Sequence, residues 1–229
     1  MLVLALDTTT RAGSAALVRD GAVLVEQAGD PALTHGHRLP RDLMRVLDRA
    51  GVSLADVDLF AVAAGPGSFT GLRVGIATMQ GLAMAGDRRI VPVSALDALA
   101  RAGHNGVARV GAWMDAQRGE VFAALYTAGG SREVEPSSDA PETTLRRWST
   151  IGPSGPVRYI GDGALRYREV IARLHPSSTI VEVVPTLAGI IGAIATEWPG
   201  RAVLPHAVVP IYVRRSDAEL ARDKRSARG

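Results

Sequence analysis

The chain has 229 residues, 47% hydrophobic and 21% charged, which is apolar enough for one large core or two smaller ones and excludes a disordered chain. It has no cysteine, which excludes disulfides and thiolate metal sites, and no apolar run reaches the roughly 20 residues a membrane-spanning helix needs. The formal net charge is +3, and the whole excess lies from Arg214 onward, where six basic residues face three acidic ones. Residues 214–229 are therefore expected to form a solvated, disordered basic tail, with weak attraction to RNA phosphates as the other reading. The opening apolar run is short, follows no basic region and meets Asp7 at once. That is not the pattern of a secretion signal, so a cytoplasmic location is the expectation.

In chain order, residues 2–6 read as a strand ending in Asp7, and residues 8–13 as a turn. Residues 14–18 and 22–25 read as two further strands joined by an Asp20-Gly21 hairpin signal. Leu39, Leu43, Val46, Leu47 and Ala50 recur at helical spacing, with Pro40 in the first turn and Gly51 as the stop. Residues 58–64 read as a buried strand, Ser68 as the N-cap of a helix running to Ala85, and residues 90–93 as a strand.

The pattern then restarts. Residues 110–114 form a strand ending in Asp115, residues 116–119 a turn and residues 121–126 a strand, much as around Asp7. Gly129-Gly130 is a further turn. Residues 131–156 are the least regular part, with a short helix at 141–148. A strand at 157–160 and helices at 164–174 and 185–198 complete the chain, the last nearly uncharged and so buried. Glycines near 103–106 mark the boundary between lobes at residues 1–102 and 103–213.

This order of elements is similar to the α/β fold of actin, Hsp70 and sugar kinases, in which two duplicated lobes pinch a nucleotide. Hydroxyls and N–H groups of a tight turn can cradle phosphate, and a carboxylate can hold its magnesium. Asp7, Thr8, Thr9 and Thr10 fit that role by type, though Asp and Thr at a strand end are also ordinary turn formers. The Asp115 turn has no Ser or Thr. Gly161-Asp162-Gly163 reads either as an adenosine acceptor or as a helix cap.

The run Gly65-Pro66-Gly67-Ser68-Phe69-Thr70-Gly71-Leu72-Arg73-Val74-Gly75 is the most informative segment. Its helix carries Gly71, Gly75 and Gly81 in the interior, each costing about 1 kcal/mol relative to Ala, so packing must supply the difference. Gly71, Gly75, Thr78, Gly81 and Ala85 form a smooth face; Leu72, Ile76, Met79 and Ala83 form a bulkier one. With the helix at 40–50 that bulky stripe is either intramolecular core or a surface for another chain.

That run, together with Leu4-Ala5-Leu6-Asp7-Thr8, Gln80-Gly81-Leu82-Ala83, the segment from Asp115 to Val121 and the closing Pro210-Ile211-Tyr212-Val213-Arg214, resembles the bacterial TsaB (YeaZ) family. The resemblance implies a duplicated actin-like (ASKHA, ribonuclease H-like) fold. It implies a paralogue of the catalytic subunit TsaD that lacks the active centre and has no turnover alone. Such a scaffold pairs with TsaD, is joined by the ATPase TsaE, and forms homodimers when TsaD is absent. It meets tRNA through the complex, where threonylcarbamoyl is transferred to the adenosine beside the anticodon; no membrane is involved. Leu39, Leu43, Val46, Leu47, Leu72, Arg73, Ile76 and Met79 would then carry the docking surface. No firm cofactor follows; ATP or ADP with magnesium at the lobe interface of the complex is what the fold admits. The resemblance also implies a histidine pair at i, i+4 in metal-bearing relatives. His35, His37, His104, His175 and His206 contain no such pair, which removes support for metallopeptidase chemistry. A small nucleotide-binding phosphotransferase of the same fold is the alternative, and ATP binding discriminates it.

Overall fold

A computed structural model describes residues 1–106, 108–151 and 155–214. The first three strands, β1 (Leu2–Asp7), β2 (Ser14–Arg19) and β3 (Ala22–Ala28), form the expected antiparallel meander. Asp20 and Gly21 between the last two both take positive φ, 51° and 85°, the conformation whose twist matches a two-residue hairpin. β4 (Leu59–Gly65) and β5 (Ile90–Ser94) add in parallel to give the order β3-β2-β1-β4-β5. The second sheet contains β6 (Arg109–Asp115), β7 (Val121–Tyr126), β8 (Arg132–Asp139), β9 (Val157–Ile160) and β10 (Thr179–Ile180). Its order, β10-β9-β6-β7-β8, repeats the first with the same parallel and antiparallel pairs. The pattern-level duplication in the sequence is thus a duplicated topology.

Helices α1 (His35–Ala50) and α2 (Phe69–Ala85) cover one face of the first sheet. The helices α4 (Pro141–Ser149), α5 (Asp162–Arg166) and α6 (Arg168–Leu174) lie on the second lobe. The remaining two, α3 (Ala95–Gly103) and α7 (Ala188–Glu197), lie between the sheets in one apolar core that joins Val3, Ala5 and Val18 to Val110, Ala112 and Phe122. They are exchanged: α3 packs on β6, and α7 packs on β1, β2 and β4. Val203 bridges Ile90 of β5, and Gln80 of α2 donates to the carbonyls of Pro205 and Val208. The span 103–213 is therefore not one lobe; from α7 onward the chain returns to the first.

Several elements differ from expectation for physical reasons. α1 begins at His35, so Pro40 sits in its second turn. Pro40 and Gly36, whose carbonyl it leaves open, are both exposed, so the vacant acceptor is open to solvent and the proline costs the helix little there. Helix 164–174 is broken at Tyr167 (φ −108°, ψ 27°), because Gly163 is pressed against the Met114 backbone of β6 while Ile171 packs in the outer core of the second lobe. The basic tail lies outside the described residues apart from Arg214, which is held against the second lobe.

Candidate functional site

The C-terminal ends of β1, β4 and β6 open on a cleft of about 1290 Å³ between the lobes, lined by both turn segments, the start of α1, the start of α2 and residues 211–214. Its position is set by topology: parallel strands end together where the strand order diverges on either side of β1 and β6.

The turn after β1 places Thr9 and Thr10 in the cleft wall, as the sequence suggested, with Asp7 and Thr8 buried beneath. Asp7 is 1% exposed, and its carboxylate folds onto its own turn. Oδ1 accepts from the N–H (2.8 Å) and hydroxyl (2.5 Å) of Thr9, and Oδ2 accepts from the Thr10 hydroxyl at 2.7 Å. Thr10 Oγ1 in turn accepts from Gly13 N.

The turn after β6 is built alike. Asp115 Oδ1 accepts from Gln117 N at 3.0 Å, and Oδ2 accepts from Gln117 Nε2 and from Arg166, both at 2.7 Å. Gln117, Arg118 and Gly119 all have positive φ, so two non-glycine residues sit in the left-handed region at about 1–2 kcal/mol each. Asp162 Oδ1 accepts from Asp115 N and from Gly163 N, and burial raises its pKa against those two bonds. The Gly161-Asp162-Gly163 segment thus ties the start of α5 to β6.

Neither turn carboxylate stands free for a magnesium ion: Asp7 is buried and bonded within its own turn, and Asp115 is held by Gln117 and by Arg166 of α5. Among the described residues no three His, Asp or Glu side chains gather as a metal cluster. What the cleft offers is cationic: Arg11, Arg73, Arg118 and Arg214 line it.

Seven of the eight docking residues that the resemblance implied are buried within the chain. Leu39, Leu43, Val46, Leu47, Ile76 and Met79 all belong to the core between α1, α2 and the first sheet, and Leu72 is 1% exposed. The bulky stripe of α2 faces its own sheet, where it packs beside the apolar stripe of α1. The glycine face meets the β1 turn: a Cβ on Gly71 would fall on the Thr8 carbonyl, and one on Gly75 on the Thr8 side chain. Arg73 alone of the eight is exposed; its guanidinium covers the Phe69 ring at 3.9 Å. The outward residues of α2 are Phe69, Thr70, Arg73, Ala77, Gly81, Met84 and Ala85, and those of α1 include Pro40, Arg41, Met44, Arg45, Asp48 and Arg49.

Three features of this region went unread in the sequence. Arg38 is buried with Asp42 (2.6 Å), and also donates to Ala12 O and touches His35 Nδ1. Phe69 and Tyr212 stack with centroids 5.1 Å apart. The segment 208–214 crosses the cleft mouth, and Pro210-Ile-Tyr-Val-Arg was the available signal.

Two duplicated lobes of this topology, closed around a cleft at the strand ends, define an actin-like two-lobe α/β protein. Comparison narrows the class. The family model described as TsaD: tRNA N6-adenosine threonylcarbamoyltransferase matches residues 30–159. The protein TsaB of Escherichia coli (strain K12), named for tRNA threonylcarbamoyladenosine biosynthesis, is 41% identical over 128 residues, 55% of either chain. The Bacillus subtilis (strain 168) protein of that name is 28% identical over 234 residues, covering 96% of each. The solved structure of YeaZ from Pseudomonas aeruginosa superposes with a TM-score of 0.75 at 31% identity, over 92% of this chain and 99% of that one. The (R)-2-hydroxyglutaryl-CoA dehydratase component A of Acidaminococcus fermentans, at TM-score 0.56 and 11% identity, covers 87% of this chain and 99% of its own, and shares the fold. This chain belongs to the TsaB (YeaZ) family.

Proposed function

We propose that this protein serves tRNA threonylcarbamoyladenosine biosynthesis as a non-catalytic subunit that docks a TsaD subunit, with TsaE joining the pair, and that it self-associates when TsaD is absent. The outward face of α2 is the observation that carries this reading. α2 has one charged residue, Arg73, in seventeen, whereas a solvated helix face is ordinarily charged. Ala77, Gly81 and Met84 leave a small-residue, uncharged surface that admits close approach of a second helix pair. The buried stripe beneath supports that surface without taking part in it. The names of the relatives support the pathway, and the committed carboxylates of the cleft support a role without phosphotransfer. In this reading tRNA is met through the assembled complex.

The test uses Ala77→Glu and Met84→Glu, two exposed positions on that face. Sedimentation velocity of each variant, alone and with TsaD, should show loss of association while thermal unfolding of the monomer is unchanged. A complex that survives both substitutions would place the interface elsewhere. Ile76→Glu and Leu43→Glu are unsuitable, because both would bury an unpaired charge and unfold the first lobe.

A further inference from the structure

The lobes share a core at the base of the cleft, through α3 and α7, and at the mouth one short segment reaches from one lobe to the other. Ile211 N donates to Ala64 O at the end of β4, 2.7 Å away. The fit there is close: Gly65 has φ +123°, and a Cβ on it would lie 2.6 Å from Ile211 O. Tyr212 stacks on Phe69 and accepts from Arg73 Nε at 3.1 Å, and the Arg73 guanidinium lies 3.9 Å from the Phe69 centroid. Two residues later the chain has crossed. Arg214 Nη1 donates to Ala116 O at 2.8 Å and meets Glu120 Oε2 at 3.2 Å, with its guanidinium 5.7 Å from the Phe122 centroid.

We infer that residues 211–214 are a built-in clasp that sets the opening of the cleft, anchored on the first lobe by Ile211 and Tyr212 and latched on the second by Arg214. The latch falls on a strained element. Ala116 and Glu120 bracket the turn that holds Gln117 and Arg118 at positive φ, closed by Ala116 N to Glu120 O and Glu120 N to Gln117 O. Arg214 holds both ends of that turn from outside. Releasing it frees the strained turn and the lobe together. The clasp is also attached to α2 through Phe69 and Arg73, which links the cleft to the helix face argued above; the opening itself is independent of docking.

The chain has no cysteine, so two labels can be placed cleanly, at Thr70→Cys on α2 and Glu169→Cys on α6, both exposed. Pulsed electron–electron distance measurement on the full chain, with the doubly labelled protein diluted into excess unlabelled protein so that self-association adds no distance between copies, should give one narrow distribution. Tyr212→Ala and Arg214→Ala should broaden it and lengthen it. Amide exchange at Glu120 should accelerate roughly tenfold in Arg214→Ala, as expected for losing about one charge-assisted hydrogen bond, with Leu4 of β1 unchanged. Arg214→Lys, which keeps one donor to Ala116 O, should fall between and serves if the alanine variant fails to fold. Arg11→Ala, on the cleft wall and outside the clasp, should leave the distribution as it was. Distances unchanged in Tyr212→Ala and Arg214→Lys, or widened equally in Arg11→Ala, would overturn the inference.

Discussion

Arg38 and Asp42 form a buried ion pair, at 1% and 6% side-chain exposure, on a helix whose exposed face is charged. Taking both charges out of water costs several kcal/mol, and removing one partner leaves the other unpaired. Asp42→Ala should therefore lower stability by about 3–5 kcal/mol in urea unfolding, while the double replacement Arg38→Met with Asp42→Leu should cost much less. Glycines of α2 give a matched contrast. Gly71 meets the Thr8 backbone, which cannot swing aside, so Gly71→Ala should cost about 1–3 kcal/mol by overpacking. Gly81 has open space around its Cβ position, and Gly81→Ala should stabilise the monomer by up to about 1 kcal/mol through helix propensity. A thermal shift of one sign for both would refute the assignment of the two faces. The packing signal of the helical glycines holds for Gly71 and Gly75, which meet Thr8, and not for Gly81, which faces open space. Periodicity gives the angle between two faces and leaves open which one meets the sheet, and this is why Leu43 and Ile76 read as an interface and lie in the core.

At the level of elements, α7 has no local cap, since Leu187 precedes it. Its first amides are satisfied from the other end of the chain. Ser14 Oγ accepts from Leu187 N and Ala188 N, and Glu26 Oε1 accepts from Gly189 N at 2.9 Å. Ser14→Ala leaves two donors at a buried helix start without an acceptor, and should cost about 1–2 kcal/mol. Hydrogen exchange should localise the loss to the first turn of α7; protection there unchanged would argue against the cap. Such a cap has no sequence signature, because donor and acceptor are 173 residues apart. Elements with a strong local pattern were legible: the hairpin at Asp20-Gly21, the Ser68 cap, whose Oγ accepts from Gly71 N, and the strands Val121–Tyr126 and Val157–Ile160. β8 was not, since an edge strand carrying Pro136, Ser137 and Ser138 needs little β-propensity when only β7 pairs with it. β10 is two residues held by β9, too short to leave any alternation.

For the whole molecule the exchange of α3 and α7 decides how it unfolds. Duplication was legible, from Asp7 and Asp115 each closing a strand before a turn, and it suggested two lobes that could be separated near residue 103. The nearly uncharged α7 announced burial without saying where. It lies so close to the first sheet that a Cβ on Gly192 would be 2.5 Å from Val18 Cγ2. Leu187, Ile191 and Ile194 bury their side chains in the shared core, at about 1.5–3 kcal/mol each. That loss, about 5–9 kcal/mol, is comparable with the entire 5–15 kcal/mol by which a typical domain is stable. A fragment ending at residue 106 would also expose Val3, Ala5, Ala16 and Val18 to water. Such a fragment should show no cooperative transition by circular dichroism, whereas the full chain should unfold in one. Appending residues 186–214 through a flexible Gly-Ser linker should restore cooperativity, because those residues carry α7, the Val203 bridge to β5 and the Ile211 bond to Ala64. Cooperative melting of the bare fragment would mean that the inner face of the first sheet is stable uncovered, and that each lobe folds alone.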